Sequence, residues 1–282
     1  MSPIIVISGK GGLPLQFKQL AEKRGFETYT VGIKGITDRT TDFTVPFLGF
    51  LELEELLNRF NNPKLVLLGK FDQRLPWLIT NSLLTKLKVK LFGGRFRENY
   101  QVFLTLKSKF ENGQPHKVVK VIIEHFEYRG YKFLPSEEIK EILKPLFAEE
   151  GNMTPTVEFT LSNQLKEFFR YTKTIADMDI GQTLVVKNHT VLAVEGAEGT
   201  NETLKRACKL GGKGFVMLKA ARTYQDYRID IPAVGLETLG ILKKCRASAV
   251  ILESGKVLIA DKETFLKEAE RNKIAVIGLT PR

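Results

Sequence analysis

Residues 3–33 read PIIVISGKGGLPLQFKQLAEKRGFETYTVGI. The apolar run PIIVIS ends in a glycine-rich turn, GKGG. LPLQFKQLAEKRG has helical periodicity and closes on Gly25, and FETYTVGI reads as a second strand. Further on, LELEELLNRF (51–60) has the pattern of a helix and KLVLLG (64–69) that of a third strand. A β-α-β-α-β order specifies a parallel sheet with helices on both faces, so the first domain is expected to be a Rossmann-like α/β unit. Such sheets bind ligands at the carboxyl ends of their strands. Those ends are Ser8–Gly12 and Gly69–Lys70, which should be neighbours in space.

Residues 78–178 read mostly as helix: KVVKVIIEHFEYRGY (117–131), PSEEIKEILKPLF (135–147) with Ser136 as its cap, and SNQLKEFFRYTKTIADMD (162–179). EGNMTPT (150–156) is loop-like and marks a hinge. The pattern then changes. QTLVVK and TVLAVE flank Asn188-His189 as a hairpin. TNETLKRACKLG (200–211) is a helix capped by Thr200 or Asn201, and GFVMLKA (214–220) is a strand. ASAVILE and KVLIAD flank Ser254-Gly255 as a second hairpin, and KETFLKEAERNK and IAVIGL follow as helix and strand. The expectation is two domains: 1–155, Rossmann-like with a helical segment, and 156–282, a second α/β domain.

Composition narrows the function. The chain has 282 residues, 43% of them hydrophobic, which is enough to bury real cores. No apolar run approaches the ~18 residues of a membrane span. The opening MSPIIVISGKGG lacks a basic leader and reads directly as a buried strand. With three histidines and two cysteines, Cys208 and Cys245, far apart in sequence, a zinc site is not expected. Separate thiols point to a reducing cytoplasm. The net charge of +11 attracts anions. Its densest part, 85–120, interleaves Leu, Val and Phe with Lys and Arg. Two readings fit: solvated amphipathic helices, or a surface that lies on anionic lipid. On the second, the Phe- and Leu-rich helices of 85–147, Phe103 and Leu106 among them, form a cleft for acyl chains. No nucleic-acid-binding module is present, so nucleic acid is not an expected partner.

Three stretches carry candidate chemistry. SGKGG (8–12) opens a helix through Pro14, where free N–H groups and Cβ-less backbone can meet an anion. It is neither a Walker A loop nor a full dinucleotide fingerprint. EGAEGTNETLKR (195–206) is a second glycine-rich turn entering a helix. It is either an ordinary cap or a phosphate cradle with Glu195 or Glu198 near a cation. MLKAARTYQDYRIDIPAVG (217–235) places Asp226, Arg228 and Asp230 at alternate positions, the signature of a strand with two unlike faces. That face is either a solvated edge or a phosphate or metal site. Lys219 and Arg222 lie just upstream. Phosphoryl chemistry needs such types together: cations to neutralise the phosphoryl oxygens, and a carboxylate to hold Mg²⁺ or take a proton from water. Asp230 is the best single candidate, and no Ser-His-Asp or Cys-His arrangement competes with it.

These stretches, with DIGQTLVV (179–186) and ILESGKVLI (251–259), resemble the LpxI family, the UDP-2,3-diacylglucosamine pyrophosphatases of lipid A biosynthesis. The match runs in order along most of the chain and is strongest from 179 onward. The resemblance implies two domains and Mg²⁺-dependent hydrolysis to UMP and 2,3-diacylglucosamine 1-phosphate. It puts the essential carboxylate on Asp230, with Arg228 and Lys219 as catalytic neighbours. Gly9, Gly11, Gly12, Leu13, Gly69, Lys70, Gln182, Thr200, Asn201 and Gln225 would contact substrate, and Asp230, Asp226 and Glu198 would hold the metal. The expected partners are a lipid-linked UDP-sugar and the inner membrane surface, from the cytoplasmic side. A homo-oligomer is compatible with the sequence. Two acidic elements of the family read differently here, as Gly113-Gln114-Pro115 and as Asn201 after Glu198-Gly199-Thr200. The alternative is therefore a paralogue that binds another nucleotide-sugar or anionic lipid.

Overall fold

A computed structural model describes residues 2–71, 94–109 and 115–281, with the backbone alone for 115–118. Gly113, Gln114 and residues 85–93 of the basic stretch lie outside these. The chain divides into two compact units: Met1–Ile142 with Tyr227–Ile229, and Leu143–Asp226 with Asp230–Arg282. The sequence reading set the division at 155/156. Residues 143–155 go with the second unit because Ala148 and Met153 donate their N–H groups to the carbonyls of Val257 and Val276.

In the first unit, β1 (Ile4–Ser8), β2 (Thr28–Ile33), β3 (Phe43–Val45), β4 (Lys64–Leu68) and β5 (Lys132–Phe133) form one parallel sheet in the order β3-β2-β1-β4-β5. This matches the alternation read from residues 3–69. Helices α1 (Leu13–Lys23), α2 (Phe50–Leu57), α3 (Arg95–Ser108), α4 (Pro115–Tyr128) and α5 (Ser136–Leu143) accompany it. β1 reads as a continuous apolar run because it lies inside the sheet and is buried throughout. Ile5, Val31, Leu57, Leu65 and Phe126 build one core, and each such side chain contributes about 1.5–3 kcal/mol on full burial. Phe103 and Leu106 also belong to cores. Phe103 packs with Tyr100 and Phe50, and Leu106 with Val121, so neither lines an open acyl-chain cleft.

The two strand-end turns do meet. Lys10 and Lys70 exchange backbone hydrogen bonds of 3.0 and 2.9 Å, and Gly9 N–H donates to the Leu68 carbonyl at 2.7 Å. Both central glycines are required by this approach. A Cβ on Gly9 would stand 2.7 Å from the Lys70 carbonyl oxygen, and one on Gly69 would stand 2.8 Å from that of Lys10. Ser136 opens α5, and its hydroxyl accepts from the Tyr227 N–H at 2.9 Å.

The second unit has a sheet in the order β6-β13-β11-β9-β7-β8. β9 (Val216–Lys219), β11 (Ala249–Glu253) and β13 (Ala275–Leu279) run parallel in its middle. β6 (Gly151–Asn152) and the hairpin of β7 (Thr183–Lys187) and β8 (Thr190–Val194) add antiparallel edges. The hairpin turns at Asn188-His189 as expected, with Asn188 left-handed at φ +51°. Helices α6 (Asn163–Asp177), α7 (Thr200–Gly211), α8 (Leu236–Lys244) and α9 (Lys262–Arg271) complete the unit. Both units are mixed α/β, in keeping with the sequence reading.

Three local expectations are corrected. Residues 256–261 do not form a hairpin with β11, because β11 already has β9 and β13 on its two edges. Instead β12 (Leu258–Ile259) pairs in parallel with β10 (Ala233–Val234). Residues 226–230 are not a strand. Their backbone groups bond outside any ladder: Asp230 N–H donates to the Asp226 carbonyl, the Asp230 carbonyl accepts from the Gln225 amide, and the Tyr227 N–H goes to Ser136. Cys208 of α7 and Cys245, at the end of α8, form a disulfide, which removes the compartment argument drawn from separate thiols. Among the described residues no helix is long and apolar enough to cross a membrane.

Candidate active site

In the second unit three segments come together: 177–182 before β7, 195–200 after β8, and 219–226 with Asp230 after β9. Asp230 is the focus. Its Oδ2 accepts from Gln182 Nε2 at 2.8 Å and from Arg222 Nη1 at 3.2 Å, with Gln225 Nε2 at 3.5 Å. Gln225 also donates to the Asp230 carbonyl at 2.7 Å and accepts the Arg222 N–H at 3.2 Å. The carboxylate is thus oriented by donors on one oxygen, while its side chain stays 38% exposed. A carboxylate held this way is pre-set to accept a proton or bind a cation without reorganising.

Gln182 links Asp230 to a buried ion pair. Lys219, the last residue of β9, is 3% exposed. Its ammonium donates to the hydroxyls of Thr183 at 3.1 Å and Thr200 at 2.9 Å, and stands 3.6 Å from Glu195 Oε2. Glu195 also accepts from the Thr200 hydroxyl at 2.8 Å and the Gln182 N–H at 3.3 Å. Burial alone would raise the Glu195 carboxyl. The Lys219 charge and the hydrogen bonds from Thr183, Thr200 and Gln182 outweigh it and hold the group below the usual glutamate value. Gly181 makes this possible, since a Cβ there would collide with the Glu195 carbonyl.

Thr200 and Asn201 do not cap α7. The cap is Gly199, and the two side chains look elsewhere: Thr200 to Lys219 and Glu195, Asn201 to the Thr238 hydroxyl at 2.9 Å. Glu198 is bound by Arg206 at 2.5 Å and Thr203 at 3.2 Å, and the Arg206 bond is the leading cause of its lowered carboxyl pKa.

A second buried carboxylate fixes the loop after β9. Glu253, at the end of β11, is 2% exposed. It accepts the Ala221 N–H at 2.9 Å and lies 3.3 Å from the Lys173 ammonium, which donates to the Ala221 carbonyl at 2.7 Å. The Ala221 residue is therefore held at both its N–H and its carbonyl. Burial keeps the Lys173 ammonium below the ordinary lysine value, against the pull of Glu253.

The sequence-derived residues fall into separate groups. Gln182, Gln225 and Asp230 come together, as do Lys219 and Thr200. Arg228 belongs to the first unit, with Nη1 3.6 Å from Glu127 of α4. Gly9, Gly11, Gly12, Leu13, Gly69 and Lys70 also lie in the first unit, where Gly11 N–H donates to Asp38 Oδ1 at 2.9 Å. The depression beside them, lined by Ser8, Gly9, Gly11, Pro14 and Thr37, has a volume of about 10 Å³, room for a single water. Asp226, Asp230 and Glu198 do not assemble as a trio. Among the described residues no three His, Cys, Asp or Glu side chains come together as a metal cage. Mg²⁺ is commonly held by one or two carboxylates and the substrate's phosphates, and the Asp230 carboxylate fits that single-ligand mode. Sequence reasoning assigned no role to Asp177, Asp179, Lys173 or Glu253. The signal for Asp179 was its place at the head of D-I-G-Q.

Comparison with known proteins converges on the same segments. Residues 150–277 match the LpxI C-terminal domain, a range that holds Gln182, Glu195, Thr200, Lys219, Arg222, Gln225, Asp230 and Glu253. Over this range the chain is similar to the LpxI family. It is 25% identical over 173 residues to the UDP-2,3-diacylglucosamine pyrophosphatase LpxI of Caulobacter vibrioides, a match covering 58% of this chain and 61% of that protein. The matched LpxI domain thus contains both ion pairs and the oriented aspartate.

Proposed function

We propose that this LpxI-type protein hydrolyses the pyrophosphate bond of UDP-2,3-diacylglucosamine to UMP and 2,3-diacylglucosamine 1-phosphate, a step of lipid A biosynthesis. The observation that carries the reading is Asp230, a half-exposed carboxylate with two side-chain amides and a guanidinium ranged on one oxygen. The water oxygen forms a bond to one phosphorus. The bridging P–O bond breaks, and its electron pair stays on the departing phosphate. The water's proton passes to the Asp230 carboxylate and on to solvent. Mg²⁺, when bound, supplies Lewis-acid neutralisation of the phosphoryl oxygens, and Asp230 is the residue that would hold it. The net charge of +11 suits an anionic, lipid-linked substrate presented at the inner face of the membrane.

A second reading, binding of a nucleotide-linked sugar without hydrolysis, is favoured by one observation: among the described residues no carboxylate trio surrounds Asp230. Product analysis by mass spectrometry separates the two. With Mg²⁺ the wild type should release UMP and the sugar 1-phosphate. Chelator should suppress this, and Asp230→Ala should abolish it with an unchanged circular dichroism spectrum. Substrate bound but not cleaved by the wild type would establish the second reading.

A further inference from the structure

The arginine nearest Asp230 is gripped by the tail of α6. Arg222 Nη1 donates to Asp230 Oδ2 at 3.2 Å. The same guanidinium donates from Nε to Asp179 Oδ1 at 2.8 Å, and its Nη2 stands 2.5 Å from that oxygen. One residue on, the Thr223 N–H and hydroxyl bind the Asp177 carboxylate at 2.6 and 2.9 Å. Two aspartates, the last residue of α6 and one just past it, thus hold two consecutive residues of the turn that leads to Asp230.

Asp179 does this from a left-handed backbone, φ +59°. Glycine adopts that conformation freely, and Asp or Asn more readily than other residues with a Cβ. Its carboxylate is engaged by the Arg222 guanidinium.

Phosphoryl transfer needs a cation where negative charge spreads over the phosphoryl oxygens. Lys219 is buried and its ammonium is directed at Thr183, Thr200 and Glu195. Arg228 stands against Glu127 in the first unit. Arg222 is 26% exposed, and among the described residues its Nη1 meets the Asp230 carboxylate and its Nη2 that of Asp179. We propose that Arg222 binds the substrate's pyrophosphate beside Asp230, and that Asp179 is its positioning residue. With Asp179 holding the Nε–Nη2 edge, the remaining N–H groups on Nη1 and Nη2 are presented to phosphate oxygens in a planar fork that lysine cannot reproduce. This rests on the hydrolase reading above.

The test uses the full chain with Arg222→Ala, Arg222→Lys, Asp179→Gly and Asp179→Asn. Three quantities are measured: kcat and KM, melting temperature, and calorimetric binding of inorganic pyrophosphate. Arg222→Ala should lower kcat by roughly 10²–10³-fold, and Arg222→Lys should recover little of it. Asp179→Gly satisfies the backbone but removes the acceptor. It should lower kcat about 10-fold or more with a melting temperature within about 2 °C of wild type. Asp179→Asn keeps Oδ1 and should fall between. If Asp179→Gly turns over like the wild type, Asp179 serves the backbone alone and its positioning role is overturned. If Arg222→Ala keeps kcat within about threefold, far short of the loss of a charge-stabilising donor, the cation assignment is overturned. A wild type that cannot cleave UDP-2,3-diacylglucosamine refutes the hydrolase reading, and pyrophosphate binding then decides the inference. Binding weakened by both Arg222→Ala and Asp179→Gly supports it, whereas equal binding in all variants, or none by the wild type, overturns it.

Discussion

Replacing Lys219 by methionine should destabilise the second unit far more than a surface lysine would. Methionine fills much of the same volume, so the change isolates the charge. At 3.6 Å from Glu195 Oε2, an effective dielectric constant near 20 gives a gross attraction of about 4–5 kcal/mol. The two hydroxyl contacts, to Thr183 and Thr200, add about 1 kcal/mol each. Desolvation of the ammonium offsets part of this, but the variant also strands Glu195, whose side chain is only 12% exposed. Breaking a buried pair on one side costs about 3–5 kcal/mol, and the melting temperature should drop by roughly 10 °C. The pH dependence supplies a second check. In the wild type the Glu195 carboxyl is depressed, so its contribution is present above the unfolded value, near 4.3, and is lost as pH falls through the folded value. Without the Lys219 charge, less opposes the burial that raises that carboxyl. The variant's penalty should then shrink as pH is lowered from 7 towards 5. Urea unfolding followed by far-ultraviolet circular dichroism at both pH values measures it. Adding Glu195→Gln to the variant should restore at least about half of the loss, since no stranded charge remains. A single-variant loss under about 1 kcal/mol at pH 7, or a double variant as unstable as the sum of the singles, would refute the reasoning.

Three further outcomes are expected. Gly181→Ala should cost about 1–3 kcal/mol because its methyl group meets the Glu195 carbonyl; a melting curve superimposed on the wild type would contradict the close approach. Reduction of Cys208–Cys245, separated by 37 residues, should cost about 4 kcal/mol in the chain-entropy account, and thiol titration of the unfolded protein should find none before reduction and two after. His125, on α4, has a buried Nε2 with no hydrogen-bond partner among the described residues, and burial lowers its pKa against the pull of Glu54. Its folded value lies below the unfolded one, so stability should fall as pH drops through about 6.5. His125→Phe should flatten that slope between pH 7 and 5, and an unchanged slope would place the titration elsewhere.

Much of the architecture was legible in residue order. Apolar runs punctuated by glycine and alternating with 3.6-period segments specify the parallel sheet of the first unit, and the meeting of Gly9 with Gly69 follows from the rule that such strands present their carboxyl ends together. Asn188-His189 announces its hairpin for a local reason, since two turn residues between alternating strands leave little choice. Asp230, Gln182, Gln225, Lys219 and Thr200 were all singled out from their motifs, and the fold brings the first three together and the last two together.

What the linear order could not decide was which partner each charged side chain meets. Strict alternation at 226–230 predicts a strand, but Gln225 and Asp226 take up the backbone groups of Asp230, and no sheet edge is needed. Arg228 is two residues from Asp230 in sequence, yet Arg222, eight residues away, supplies the bond to its carboxylate. Asp179 reaches Arg222 across 43 residues, and Lys173 reaches Glu253 across 80. The Cys208–Cys245 bridge depends on how two helices pack. Periodicity encodes which face of an element is apolar, because burial acts on each residue locally. Ion pairing depends on distances of a few ångströms between segments far apart in the chain, and only the packed sheet sets those.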